Sequence, residues 1–144
     1  MKEYKEGLEE NWPDKVVIYT DGASRGNPGD ASLGLAVYDS SNKEVFCYAQ
    51  ALGTQTNNYA EYMAVVKALN FSVENNVKNV IVRSDSQLLV RQIQGQYKVK
   101  SAGLKPLFLD CKGLIGKLPE FKIEHVRRED NVKADELANH VLDI

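Results

Sequence analysis

The chain has 144 residues, 43% apolar and 26% charged, with a formal net charge of −2. That length suits one domain with a sizeable core, and the near balance of charge excludes a partner held by bulk basicity alone. No run approaches the roughly 18 apolar residues of a membrane helix.

The opening residues Met1-Lys2-Glu3-Tyr4-Lys5-Glu6 hold no apolar segment of the signal-peptide kind. Cys47 and Cys111 stand far apart and form no CxxC, which suits a reducing compartment better than a disulfide framework. The expectation is a soluble cytoplasmic protein with no membrane contact.

Residues 1–14 read as an acidic extension, with Glu3, Glu6, Glu9, Glu10 and Asp14 set against two lysines and a Trp12-Pro13 end. They are open to two readings, partly disordered or pinned to the body by Trp12. The body then runs over 15–144. Residues 15–21 carry a continuous β-branched run, Val16-Val17-Ile18. Such a run predicts a strand buried on both faces. A glycine-rich loop over 22–31 follows, then a strand over 32–38, a turn at 39–43 and a third strand over 44–52. Short connections between three successive strands predict an antiparallel meander.

Tyr62, Val65, Val66, Leu69 and Val73 recur at helical spacing, which predicts a helix over 58–75. Thr56, Asn57 and Asn58 are its cap candidates. Residues 79–83 form a short strand, parallel to the first because a helix intervenes. Helices over 87–95 and 104–116 flank a basic irregular stretch, and Pro119 precedes a fifth strand over 121–127. A tight polar link at 128–131 opens a last helix whose apolar side is Ala134, Leu137, Ala138, Val141 and Leu142.

Four carboxylates stand at telling places. Asp21 and Asp85 end two parallel strands, where open α/β sheets carry their chemistry. Glu61 lies early in the long helix and Asp135 in the first turn of the last one. Each has an ordinary structural alternative: an Asp-Gly turn at Asp21, a helix cap at Asp85, a capping box joining Glu61 to Asn58, and a dipole complement at Asp135. Their elements can bring all four to one sheet edge. Acids gathered there repel one another unless hard cations, Mg²⁺ above all, sit among them.

Four segments carry a resemblance. Tyr19-Thr20-Asp21-Gly22-Ala23-Ser24-Arg25-Gly26-Asn27-Pro28-Gly29 comes first, then Thr56-Asn57-Asn58-Tyr59-Ala60-Glu61-Tyr62-Met63-Ala64. Ser84-Asp85-Ser86-Gln87 and Asn131-Val132-Lys133-Ala134-Asp135-Glu136-Leu137-Ala138 complete the set. In order and spacing they resemble the motifs of type 1 ribonuclease H, over about 15–143. The resemblance implies an α/β, ribonuclease H-like fold: a five-stranded mixed sheet of order 3-2-1-4-5 flanked by helices. It implies an endonuclease that cuts the RNA strand of RNA/DNA hybrids, leaving 5′-phosphate and 3′-hydroxyl ends. Asp21, Glu61, Asp85 and Asp135 would hold two Mg²⁺ ions, with Mn²⁺ as the alternative. Asp21 would bridge both ions, and Asp85 would lie beside the attacking water.

The same resemblance places Asn27, Asn57, Asn58 and Gln87 against the hybrid. An amide donates and accepts, matching the ribose 2′-hydroxyl. Thr56 falls where the family binds a DNA phosphate, and Thr54 stands where some members have arginine. The family's basic handle is absent or reduced, so Tyr97, Lys98 and Lys100 are the expected DNA-strand contacts. Modest affinity with steep salt dependence follows.

The family's loop histidine has no clear counterpart. His125 reads as a strand residue and His140 as a helix-end residue, so Arg128 or Glu129 is left to stand in. A monomer with no obligatory protein partner is expected. Two competing readings remain: a DNA nuclease of the transposase or integrase kind, and a catalytically silent hybrid-binding module.

Overall fold

The computed structural model describes residues 2–144. The acidic start does not hang free: Glu3–Gly7 form strand β1, paired antiparallel over five rungs from Glu3 opposite Gln50 to Gly7 opposite Phe46. Three long strands follow, β2 (Lys15–Gly26), β3 (Gly29–Tyr38) and β4 (Glu44–Gln55), as the expected meander. Helix α1 (Asn57–Glu74) crosses the sheet and returns the chain to β5 (Asn79–Ser84), which runs parallel to β2. Helices α2 (Gln87–Ile93) and α3 (Lys105–Ile115) lead to β6 (Glu120–His125), parallel to β5. A single 3₁₀ turn, Arg128–Asp130, precedes α4 (Val132–Asp143).

The sheet order is β1-β4-β3-β2-β5-β6. Its last five strands reproduce the expected 3-2-1-4-5 order, and the count of five is corrected to six. The added strand was hidden by composition: exposed at every position but Tyr4, it holds by main-chain pairing to β4, with the Tyr4 ring alone packing against the α4 side of the sheet. Residues 22–31 are corrected as well. Their glycines suggest a loop, yet the β2–β3 ladder continues from Asp21 opposite Gly34 to Gly26 opposite Gly29. Backbone pairing needs no side chain, so a glycine-rich ribbon can form where composition reads as turn.

Alternation along β3 sets the layers. Leu33, Leu35 and Val37 pack with Val16, Ile18, Val80 and Val82 beneath Tyr62, Val65 and Leu69 of α1. Ala36 of β3 points the other way and packs with Cys47 and Ala49 of β4 against Leu137 and Val141 of α4. The small residues on that second face let α4 lie close to the sheet. Trp12 is 6% exposed. Its ring lies 5.7 Å from Phe46 and 5.9 Å from Phe71, and its indole N–H donates to the Leu8 carbonyl at 2.6 Å. Of the two readings of the N-terminal segment, the pinned one describes Trp12. No helix among the described residues is long and apolar enough to cross a membrane.

Candidate active site

The parallel ladder of β2 and β5 closes at Thr20 opposite Ser84. The next residues on the two chains are Asp21 and Asp85, so register alone brings these carboxylates to the carboxyl edge of the sheet. Beside them Gly22 allows a close approach. A Cβ there would run into the backbone of Ala60 and Glu61, so α1 can rest directly on β2 only if residue 22 is glycine. The Gly22 N–H donates to Oε1 of Glu61, which holds that buried side chain against Asp21. Carboxylate oxygens of Asp21, Glu61 and Asp85 lie within 4.8 Å of one another.

Two of the ordinary alternatives fail. The cap of α1 is Thr56, whose hydroxyl accepts from the Tyr59 N–H at 3.2 Å. The cap of α2 is Ser86, accepting from the Leu89 N–H at 3.3 Å. Neither Glu61 nor Asp85 is spent on a helix end.

Asp135 arrives from the other face. Its helix lies over Gly34, the residue opposite Asp21, where a Cβ would collide with the backbone of Ala134 and Ala138. Asn131, 1% exposed, donates its amide to the Thr20 carbonyl at 2.9 Å and ties the start of α4 to the strand carrying Asp21. Asp135 is near enough to add to the rise in the Asp21 carboxyl, but it stands outside the cluster of three. Asp21 is therefore grouped closely with Glu61 and Asp85, and Asp135 acts on it as a fourth acid outside that group.

Electrostatics follow from this crowding. Burial first, then the charges of Glu61 and Asp85, pushes the Asp21 carboxyl far above the ordinary range. Burial likewise raises Glu61, and Asp85 adds to the rise, while Asp21, the Gly22 N–H and the Arg128 guanidinium pull it back. Buried acids that repel one another must share protons or a cation. An all-oxygen, multiply acidic donor set fits a hard divalent ion such as Mg²⁺.

The expected substrate residues fall into separate groups. Asn27, Thr56 and Asn58 line one open cleft of about 520 Å³ with Ser101 and Gly103. The Asn27 side-chain oxygen accepts from the Asn57 N–H at 3.1 Å, fixing the β2–β3 tip against the start of α1. Gln87 is exposed at the first turn of α2. Tyr97 and Lys98 lie apart from that cleft, in an apolar groove with Val99 and Phe108. The Tyr97 ring faces Arg91, which also donates to its hydroxyl at 2.7 Å. Lys100 is exposed and lines neither. His125 is an exposed strand residue opposite Ser84, as expected.

Sequence reasoning did not single out Ser101 and Gly103, which line the same cleft and carry no motif.

Residues 19–141 match the family described as "Reverse transcriptase-like". The chain is 38% identical over 130 residues to the bifunctional protein Rv2228c of Mycobacterium tuberculosis, covering 90% of this chain and 36% of that one. It thus spans little more than a third of the mycobacterial relatives it matches. The crystal structure of RNase H1 from Halobacterium salinarum superposes with a TM-score of 0.87 at 35% identity, over 90% of this chain and 98% of that one. LC11-RNase H1, crystallised with an RNA/DNA hybrid, gives 0.85 at 39% identity, over 90% and 97%. Motifs, topology and these relatives agree: the chain belongs to the type 1 ribonuclease H family.

Proposed function

We propose that this chain is an endonuclease hydrolysing the RNA strand of RNA/DNA hybrids, leaving 5′-phosphate and 3′-hydroxyl ends. The observation that carries the reading is Asp21, buried and shared between the Glu61–Asp85 cluster and Asp135. That sharing suits two divalent ions, Mg²⁺ or Mn²⁺, one held by Asp21, Glu61 and Asp85 and the other by Asp21 and Asp135. Such ions, when bound, stabilise the attacking and leaving oxygens of an in-line displacement.

The chain's own residues supply the rest. Asp85, less buried than Asp21 and Glu61, would lie beside the attacking water. Asn27, Thr56 and Asn58 in their cleft, with Asn57 and Gln87 nearby, give donors and acceptors for 2′-hydroxyls and phosphates across the minor groove. The Asn27 oxygen is engaged by the Asn57 N–H, which leaves its amide nitrogen for substrate. Tyr97, Lys98 and Lys100 meet the DNA strand. Arg128, whose charge already acts on Glu61, serves in place of the missing loop histidine. Residues 15–144 form the catalytic part. The working form is a monomer, and the two free, buried cysteines suit a reducing, cytoplasmic setting.

The test is a gel assay of labelled hybrid, duplex RNA and duplex DNA with Mg²⁺ or Mn²⁺. Cleavage of the RNA strand of the hybrid is expected, with a loss of roughly a hundred- to a thousandfold in Asp85→Asn, on the order of losing a main electrostatic stabiliser. Cleavage of duplex DNA instead would favour the transposase-like reading, and binding without cleavage the silent module.

A further inference from the structure

Asp135 is the one candidate ligand that stands outside the cluster of three, and something must fix where it points. One turn further along α4, Asn139 donates its side-chain amide to the Asp135 carboxylate at 3.2 Å and to the Asp135 carbonyl at 3.0 Å. Residues four apart on a helix face one another, so this reach costs no distortion. The backbone of residue 139 is itself held: its carbonyl accepts from Nη2 of Arg25 at 3.4 Å, and Nη1 of Arg25 pairs with Asp143 at 2.7 Å. Arg25 lies four residues beyond Asp21 on β2. The strand that carries the shared carboxylate therefore also anchors the turn of α4 that carries Asn139.

We infer that Asn139 is a positioning residue: its amide occupies one oxygen of Asp135 and turns the carboxylate toward Asp21, setting the affinity of the two-carboxylate subsite. The inference rests on the metal reading above. A ligating carboxylate held by an outer hydrogen bond loses affinity when that bond goes, by roughly tenfold or more in known metal sites. A free Asp135 would sample several rotamers, and only some of them turn its carboxylate toward Asp21. The trio needs no such help, because Glu61 is already fixed by the Gly22 N–H.

Asn139→Ala removes the donor and leaves the backbone contact to Arg25 intact. Calorimetric titration of Mn²⁺ into the full chain should show roughly tenfold weaker binding at one site. Turnover on hybrid should fall at low Mg²⁺ and recover at high Mg²⁺, with KM for hybrid and the metal-free melting temperature unchanged. Asn139→Gln, long enough to reach the same oxygen, should regain most of the loss. A wild-type isotherm in Asn139→Ala overturns the inference alone. So does a turnover loss that added metal does not restore. A wild-type chain with no isotherm, or an Asp135→Asn variant that binds like wild type, overturns the metal reading and this inference with it.

Discussion

Gly22 shows how one side chain's absence places another's charge. Burying Glu61 beside Asp21 is unfavourable on electrostatic grounds, and it persists because α1 lies directly on the backbone of β2 and a main-chain N–H meets the carboxylate. Gly22→Ala should therefore act twice. The added methyl must push α1 outward, and overpacking of this kind costs about 1–3 kcal/mol. The same shift breaks the N–H to Glu61 contact and spreads the trio. Chemical denaturation should show the stability loss, and hybrid cleavage should fall more than the folded fraction does. Equal losses in both would mean that Gly22 serves packing alone. Gly34 is the counterpart for α4, with Asn131 as the tie that fixes the helix start.

Among the elements, β1 is the one whose role composition concealed. Its exposed, charged residues give little apolar burial, but it covers the outer edge of β4 from Phe46 to Gln50. An uncovered β-edge is a template for pairing with another chain. Removing residues 2–7 should lower the melting temperature and produce dimers or larger species by size exclusion, while the active site across the sheet keeps its chemistry. A monodisperse monomer after truncation would show that β4 protects itself. The segment is held at its far end by Trp12, wedged against Phe46 and Phe71. Most helices and strands were legible from periodicity: the stripe of Tyr62, Val65 and Leu69 lies buried as its spacing requires, but in β2 only Val16 and Ile18 are fully buried and Val17 between them is half-buried, which corrects the expectation of a strand covered equally on both faces. The ribbon at 22–31 and strand β1 were not, because both are held by backbone hydrogen bonds that leave no mark on hydrophobic pattern.

For the molecule as a whole, the buried acids are a source of instability that a cation should relieve. Metal-free protein is held below its stability optimum by repulsion between Asp21, Glu61 and Asp85. Mg²⁺ at a hundred times its dissociation constant should add about 2.7 kcal/mol, or roughly 5–10 °C in melting temperature for a chain of this size. Asp21→Asn should melt above the wild type without metal and gain little from added Mg²⁺. A wild-type melting curve indifferent to divalent ions would contradict the site's assignment.

The sequence by itself determined which acids exist, in what order, and on which kinds of element they ride, because local periodicity and chain termini of strands are written in adjacent residues. It also carried the family motifs that made the fold order expected. Only the tertiary structure decided how those acids divide. That Asp135 stands outside the Asp21–Glu61–Asp85 group goes with the Asp21–Gly34 register and with two close backbone-to-helix approaches at Gly22 and Gly34. Those are distances between groups far apart in the chain, and no local pattern encodes them.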